Sequence, residues 1–484
     1  MSGVHQIDNH AQPALVSVVI LNHNGAAIMD MLRRSVQAVL SQDYQPIELF
    51  IVDDNSTDGS DAQVQALCAE YGATYLSTRD GAHGISAARN VAIPLLRGEY
   101  AAFLDNDAIP QPGWLSALVR RMQTDDSLGA VASRVMFADK PDIVNSLGSV
   151  LNELFHGNGV GIHQMFEYVS VPEHIMYATG NGMMLRRRAI EQIGGFDEGY
   201  LYYGPDDADY GMRLWRAGWR IAPAPDAVVL HLHSFSKKQR GMPFWDGRNR
   251  IRMALKHQSW RELPRFVLRD LRNSMPPRQL WYYVRCWGST LTHWRGLRDL
   301  LAYRWQHRGE PPYAAVFREY LMPPRRLVVA ADNRAYGREP VALSALRMTE
   351  NDEPYLYHGW YWPERWGKTP MRWAMRSASL LAALPEGVTA LHWRLLPRNA
   401  SSDTALTLRI QRKGDGGYED VHRQHIVLNG PPGAEPCAVT TACALPTGDY
   451  RFVLAADEAP ILPGFFPRQI GFGLAALTIS HGEH

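Results

Sequence analysis

Cysteine is scarce in this chain: four in 484 residues, at Cys68, Cys286, Cys437 and Cys443. They form no CxxC pair and no Cys/His zinc spacing, and a chain of this length builds its core without staples, so a disulfide framework is not expected. Only Cys437 and Cys443 are close in sequence, and a reducing cytosol fits the set best. A charge of one sign is also missing. Fifty Lys and Arg oppose 49 Asp and Glu, for a net charge of +1. Overall charge therefore argues against a dedicated nucleic-acid binder and leaves local basic patches open. No run of 18 apolar residues occurs, so no helix is expected to span a bilayer. Residues 1–14 lack the basic start and apolar core of a signal peptide. The expected location is the cytoplasm, with peripheral contact at the inner face of a membrane left open.

What is present is ordinary globular composition, 46% hydrophobic and 20% charged, in a chain long enough for two or three domains. After the tail at 1–14, short apolar runs alternate with amphipathic stretches. Val16 to Leu21, Ile47 to Val52 and Tyr100 to Leu104 suit parallel strands covered on both faces. Ile28, Met31, Leu32, Val36, Val39 and Leu40 make a helical stripe. Residues 61–71 and 85–97 supply further helices, with Pro94 expected to bend or end the second. The alternation predicts a doubly wound, mostly parallel α/β sheet over 15–256. A short Arg- and aromatic-rich helical region follows at 257–326, then a C-terminal β-sandwich at 327–484, read from alternating segments such as Thr404 to Ile410.

Three of the predicted strands end in polar clusters: Asn22-His23-Asn24, Asp53-Asp54-Asn55 and Asp105-Asn106-Asp107. In open α/β sheets ligands bind beyond the carboxyl ends of the strands. Each cluster alone reads equally well as turn residues; together they converge on one site. Asp105 and Asp107 offer oxygen ligands to a hard divalent cation, Mg²⁺ or Mn²⁺, shared with substrate phosphates. Asp206, Asp207 and Asp209 precede a helical stretch, where acidic residues serve either as caps or as a general base. His231 follows the apolar run Ala227 to Leu230. With eighteen histidines in the chain, it carries little alone.

Taken in order, these segments resemble the family 2 inverting glycosyltransferases of the GT-A fold. The resemblance covers Val16 to Lys256, about half the chain. It rests on Val16 to Asn24, on Gln42-Asp43-Tyr44 with Ile47 to Ser60, on Gly84 to Asn90, on Gly98 to Asp107, and on Thr179 to Arg187. It continues through Gly194 to Glu198, Asp206 to Asp209, His231 and Arg248-Asn249. The resemblance implies transfer of a sugar from a UDP-, dTDP- or GDP-sugar to a hydroxyl of a glycan or lipid-linked glycan. It places Asn22, Asn24, Asp53, Asp54, Arg89, Asn90, Asp105 and Asn106 on the nucleotide and donor sugar. Asn181, Gly182 and Asp206 fall on the acceptor side, Asp107 and His231 on a divalent metal, and Asp207 at the general base. Two departures stand out. Asn106 replaces a middle position that is often acidic, and Asp206-Asp207 stands where the family commonly has Glu-Asp. The Gln-x-x-Arg-Trp signature of processive synthases is absent, so transfer of one or a few sugars is expected. The implied setting is bacterial surface polysaccharide, O-antigen or capsule, with rhamnosyl transfer one option.

The remaining half is less specific. Residues 261–326 hold 13 Arg, no Lys and five acidic residues. They read either as helices lying on an anionic bilayer or as helices packed on the catalytic domain, with aromatics buried and Arg stems snorkelling. In the sandwich, Gly359 to Trp366 suggests sugar-stacking aromatics, while Trp373 reads as core. A dimerising role competes with glycan binding there. The alternative for the whole chain is a catalytically inactive glycan-binding protein that uses the sandwich.

Overall fold

The computed structural model describes residues 12–78, 83–152, 154–201, 204–232, 242–273, 277–309, 340–343, 345–348, 356–360, 364–366, 369–397, 404–428, 436–457, 461–462, 468–469 and 472–481. The chain divides into two compact units. The first comprises residues 1–160 and 171–324, and the second residues 161–170 and 325–484. The boundary predicted at 326/327 and nearly all of the 1–14 tail lie outside the described residues.

In the first unit, β1 (Gln12–Asn22), α1 (Met29–Leu40), β2 (Ile47–Asp53), α2 (Ser60–Tyr71), β3 (Thr74–Ser77), α3 (Ile85–Ala92) and β4 (Gly98–Asp105) alternate as the sequence predicts, except that β3 is a strand the apolar runs did not mark. A 3₁₀ turn at Ile93–Leu95 follows α3, so the helix stops just before Pro94. Next come β5 (Ala108–Pro110), α4 (Trp114–Gln123), β6 (Leu128–Phe137), β7 (Lys140–Ser146), β8 (Ser149–Leu151) and β9 (Gly157–Gly159). They are followed by β10 (Met183–Arg186), α5 (Arg187–Ile193), α6 (Asp206–Arg216) and β11 (Arg220–His231). The nine-stranded sheet runs β3-β2-β1-β4-β10-β6-β11-β5, with β7 on β6. The strands β1 to β4 are parallel to one another, and β11 is parallel to β6. The strands β10, β5 and β7 run antiparallel to their neighbours. The sheet is therefore mixed and mostly parallel.

Period-two alternation along β1 explains the two layers. Val19 and Leu21 join a core with α3, α5 and α6. Val18 and Ile20 join another with α1, α2 and α4. The stripe of α1 buries Leu32, Val36 and Val39 completely. Each such side chain contributes about 1.5–3 kcal/mol, so one charge at Val36 would cost the helix its seat. Register then aligns the chemistry: Asn22 pairs with Asp53 and Leu21 with Asp105, so the polar ends lie side by side.

Four helices close this unit: α7 (Met242–His257), α8 (Leu263–Asn273), α9 (Pro277–Thr292) and α10 (Trp294–Gln306). None of the described helices is long and apolar enough to cross a membrane.

The second unit is an all-β, mostly antiparallel assembly, which supports the expected sandwich only loosely. Its strands are β12 (Val341–Ala342), β13 (Ala345–Arg347), β14 (Leu356–Trp360), β15 (Glu364–Trp366), β16 (Thr369–Leu384), β17 (Val388–Leu396) and β18 (Thr404–Gly414). There follow β19 (Gly417–Leu428), β20 (Cys437–Leu445), β21 (Gly448–Ala456), a ribbon of β22 (Ile461–Leu462) and β23 (Arg468–Gln469), and β24 (Phe472–His481). Eleven of them form one mostly antiparallel sheet whose main path is β19-β18-β21-β16-β24-β17-β20. Thr441 on β20 donates to Gln424 on β19 at 2.6 Å, so the two end strands meet. Residues from most strands of that sheet share one hydrophobic cluster. Alternation predicts a buried face but not how many sheets share it. Trp360 and Trp393 are buried in that cluster, and Trp373 is buried outside it. Trp360 donates to the Ser379 carbonyl at 2.8 Å and is not an exposed sugar platform; residues 361–363 lie outside the described set. The four cysteines are free. Residues 161–170 belong to this unit: Arg409 on β18 pairs with Glu167 at 2.5 Å and donates to the Tyr168 hydroxyl at 3.1 Å.

Candidate active site

The first two strand ends form a tightly bonded floor. Asn22 is buried and donates to Asp53 at 2.8 Å, to Ser60 at 3.2 Å and to Ser56 at 3.3 Å. Its side-chain Oδ1 accepts from the Asn106 amide at 2.9 Å. Asp53 is fully buried and also accepts from the Ser56 backbone and hydroxyl, at 3.0 and 2.6 Å. Asn24, left-handed at φ 48°, accepts from the Thr57 backbone at 2.8 Å. Asp54 caps the neighbouring loop: it accepts from Thr78 at 2.7 Å and from the Gly84 N–H at 2.9 Å. Gly84 sits at φ 104° before α3, a conformation that glycine adopts without strain.

Beyond β4, donor atoms of Asp105, Asp107 and His231 lie within 4.8 Å of one another. Asp107 and His231 are buried, and His231 Nε2 is 3.1 Å from Asp107 Oδ1. Asp107 Oδ2 is buried with no hydrogen-bond partner. An orphaned buried carboxylate oxygen is costly, and a hard divalent cation satisfies it. Burial opposes charge on His231, but Asp107 outweighs it and raises the pKa. Burial and then the adjacent Asp107 push Asp105 up.

His231 Nδ1 has two amide neighbours, Asn181 Nδ2 at 3.1 Å and Asn145 Oδ1 at 3.2 Å. The two suit opposite tautomers. With Nε2–H turned to Asp107, Nδ1 accepts from Asn181. With Nδ1–H turned to Asn145, the Nε2 lone pair is available to a cation. The donor set thus fits a metal whether or not one is bound. Asn145 on β7 carries no motif and was not legible in the sequence.

The third group is the start of α6. Asp206 is buried and ion-paired with buried Arg89. Arg89 lies under Gly180, where a Cβ would meet its guanidinium at 1.9 Å. Asp207 is half-buried and accepts from the Gly180 N–H at 3.3 Å. Burial and then Asp206 raise its pKa, opposed by Arg89. Gly180 and Asn181 therefore form a strap, one residue bonded to Asp207 and the next to His231.

The structure gathers Asn22, Asp105, Asn106, Asp107, Asn181, His231, Asp206, Asp207 and Arg89 through these bonds and fields. Two expected contacts sit differently. Asn90 is spent on the 196–198 turn, donating to the Phe196 carbonyl and to Glu198 and accepting from the Phe196 N–H. Gly182, at φ 145°, is packed so closely that a Cβ would meet Ser133 at 2.9 Å, and its carbonyl accepts from the Ser133 hydroxyl.

Behind α6 lies a buried charge lattice; the resemblance ran through several of its residues, but nothing in the sequence joined them. Asp209, with no exposure, takes bonds from the Tyr200 hydroxyl, Arg213, Lys256 and His257 at 2.6–3.0 Å. Asp197 pairs with Lys256 at 2.7 Å and Arg252 at 2.9 Å. Arg248 and Asn249 hold the same wall, donating to the Gly199 and Leu201 carbonyls at 2.5 and 2.9 Å.

Residues 17–194 match the family model described as glycosyl transferase family 2, and residues 161–234 match one described as the N-terminal domain of galactosyltransferase. Among curated proteins, the chain is 29% identical to the pre-mycofactocin glycosyltransferase of Mycobacterium tuberculosis, over 45% of this chain and 43% of that protein. It is 27% identical to the O-antigen biosynthesis protein RfbC of Myxococcus xanthus, over 44% and 17%. It is 24% identical to a hyaluronan synthase of Pasteurella multocida, over 42% and 23%. The chain spans less than half the length of each. Among solved structures, GalNAc-T7 with UDP, GalNAc and Mn²⁺ aligns at TM-score 0.47 and 14% identity, over 79% of this chain and 71% of that one.

Proposed function

We propose, from the match of residues 17–194 to the glycosyl transferase family 2 model, that this chain catalyses inverting, non-processive transfer of a sugar. The donor is a nucleoside-diphosphate sugar and the acceptor a hydroxyl of a glycan or lipid-linked glycan. In this reading residues 15–256 carry the chemistry, 257–326 close the unit, and 327–484 are accessory. The observation that supports it best is the unpartnered Asp107 Oδ2 beside Asp105 and His231, joined by the Gly180–Asn181 strap to Asp207.

Asp207 takes the proton of the acceptor hydroxyl as the hydroxyl oxygen bonds to the anomeric carbon, and the bond to the diphosphate breaks on the opposite face. A carboxylate whose pKa is raised is a stronger base than an ordinary one. Asp206 holds Arg89, and that cation keeps the acidic pair from rising further. Asp107 and His231 would hold a divalent cation, Mn²⁺ or Mg²⁺, which supplies positive charge against a departing diphosphate. Asp105 faces the donor sugar or ribose, and Asp54 with Asn24 borders the nucleotide. Asn22, Asp53 and Asn106 shape the floor on which it rests. The likeness to RfbC motivates an acceptor in bacterial surface polysaccharide.

Calorimetry with Mn²⁺ and UDP, GDP or dTDP tests the donor side. Wild type binds one nucleotide in a metal-dependent way, and Asp107→Ala loses that dependence. Asp207→Asn keeps nucleotide binding and loses transfer. Full transfer by Asp207→Asn would remove the base assignment.

A further inference from the structure

The three helices after α7 all seat their inner faces on it. On α8, Phe266 joins the main core and Asp270 pairs with Arg250 at 2.9 Å. On α9, Tyr283 and Cys286 cluster with Ile251, and Thr290 donates to the Arg248 carbonyl at 3.2 Å. On α10, the Gly296 carbonyl accepts from Arg252 at 2.6 Å. Their outer stripes therefore point away from α7.

Those stripes are not polar. Trp281, Val284 and Leu291 on α9 follow helical spacing, as do Trp294, Leu301 and Trp305 on α10, and all are exposed. Trp281, Trp294 and Trp305 are 68–71% exposed, so the packed reading, with aromatics buried, fails for these three. Interleaved with them are arginines. Between Ser259 and Gly309, among side chains described, seven Arg are exposed against one acidic residue, Asp299. Arg308 stacks on Trp305 at 4.6 Å.

We propose that the outer faces of α9 and α10, with α8 beside them, dock on a bilayer surface bearing anionic phospholipid. The indoles sit at the headgroup level and the guanidiniums bind lipid phosphates. The mixture of residues selects this occupant. A nucleic acid gives Val284, Leu291 and Leu301 nothing to do, since strand binding uses cations and stacking aromatics. A second copy would bring two arginine-rich faces together, and like charges oppose that. The docking rests on the helices alone and is independent of the transferase reading.

The test uses the full chain and vesicles of phosphatidylcholine, with or without phosphatidylglycerol. Wild type is expected to float with the anionic vesicles, less so as salt rises, and its tryptophan emission to shift blue. Arg285→Glu/Arg295→Glu/Arg298→Glu should lower partitioning at least about a hundredfold, from the worth of each basic residue near such a surface. Trp281→Ala/Trp294→Ala/Trp305→Ala should lower it at least about tenfold and remove the blue shift. All six positions are exposed, so circular dichroism and nucleotide binding should match wild type, which separates this result from any failure at the catalytic site. No flotation with anionic vesicles, or flotation unchanged in both variants, overturns the proposal. So does binding to a DNA or RNA duplex, or to a second copy, that these variants abolish while vesicles are ignored.

Discussion

Asp107 accepts no hydrogen bond on one buried oxygen while His231 faces the other at 3.1 Å. A protein with no cation bound carries that oxygen as a cost. Asp107→Asn is therefore expected to raise the melting temperature of metal-free protein, by about 1–2 kcal/mol of stability. The same change should erase the rise that Mn²⁺ gives wild type. A scan with and without metal checks both halves; a variant still stabilised by Mn²⁺ would move the ligand role elsewhere. At Asp207, the raised pKa comes from burial and then from Asp206, with Arg89 pulling it down. A base works only when deprotonated, so transfer should fall as pH drops through a value above the ordinary carboxylate range. Arg89→Gln removes the cation, so this acid limb should move to higher pH in kcat/KM profiles. A limb that stays put would separate Arg89 from the base. The acidic residues themselves were legible because they end apolar runs or start a helical pattern. Their division of labour was not, because the Arg89–Asp206 pair joins residues 117 apart.

The junction of α6 and α7 shows what an element owes to distant partners. Burial opposes ionisation of Asp209 and Asp197, yet Lys256 and its neighbours outweigh it and hold both carboxyls low. Lys256→Met leaves two buried carboxylates short of a partner, and a loss of about 3–5 kcal/mol is expected in urea unfolding. Groups with depressed pKa values stabilise above the unfolded pKa of about 3.9 and lose that as pH falls through the folded values. The gap between wild type and variant should thus be full at neutral pH and close only in strong acid. A gap that closes by pH 5 would contradict the lattice. None of this was legible, since Asp209 and Lys256 stand 47 residues apart with no local spacing to announce them. The helix α1, by contrast, announces itself, because its stripe of Leu32, Val36 and Val39 repeats at the period that buries it. Strand direction fell between. The run Met183 to Leu185 reads as a strand from either end, and only pairing with β4 shows it antiparallel.

At the scale of the molecule, two units with separate cores should melt separately. Calorimetry is expected to show two transitions. Nucleotide with Mn²⁺ should shift only the one that carries Asp107, by about 2.7 kcal/mol at a hundredfold excess over Kd. A single transition, or a shift in both, would show that the cores do not melt independently. The alternation in residues 404–479 foretold strands but not their order, because β16 pairs with β21 and β24 rather than with its chain neighbour β17. The segment 161–170 adds a question of timing. Its partner Arg409 is made some 240 residues after Glu167, which at cellular synthesis rates is on the order of 10–50 s. During that interval residues 161–170 exist while the strand that binds them does not. A ribosome stalled between the two segments would therefore display a loop that a protease could nick and that the completed protein should shield.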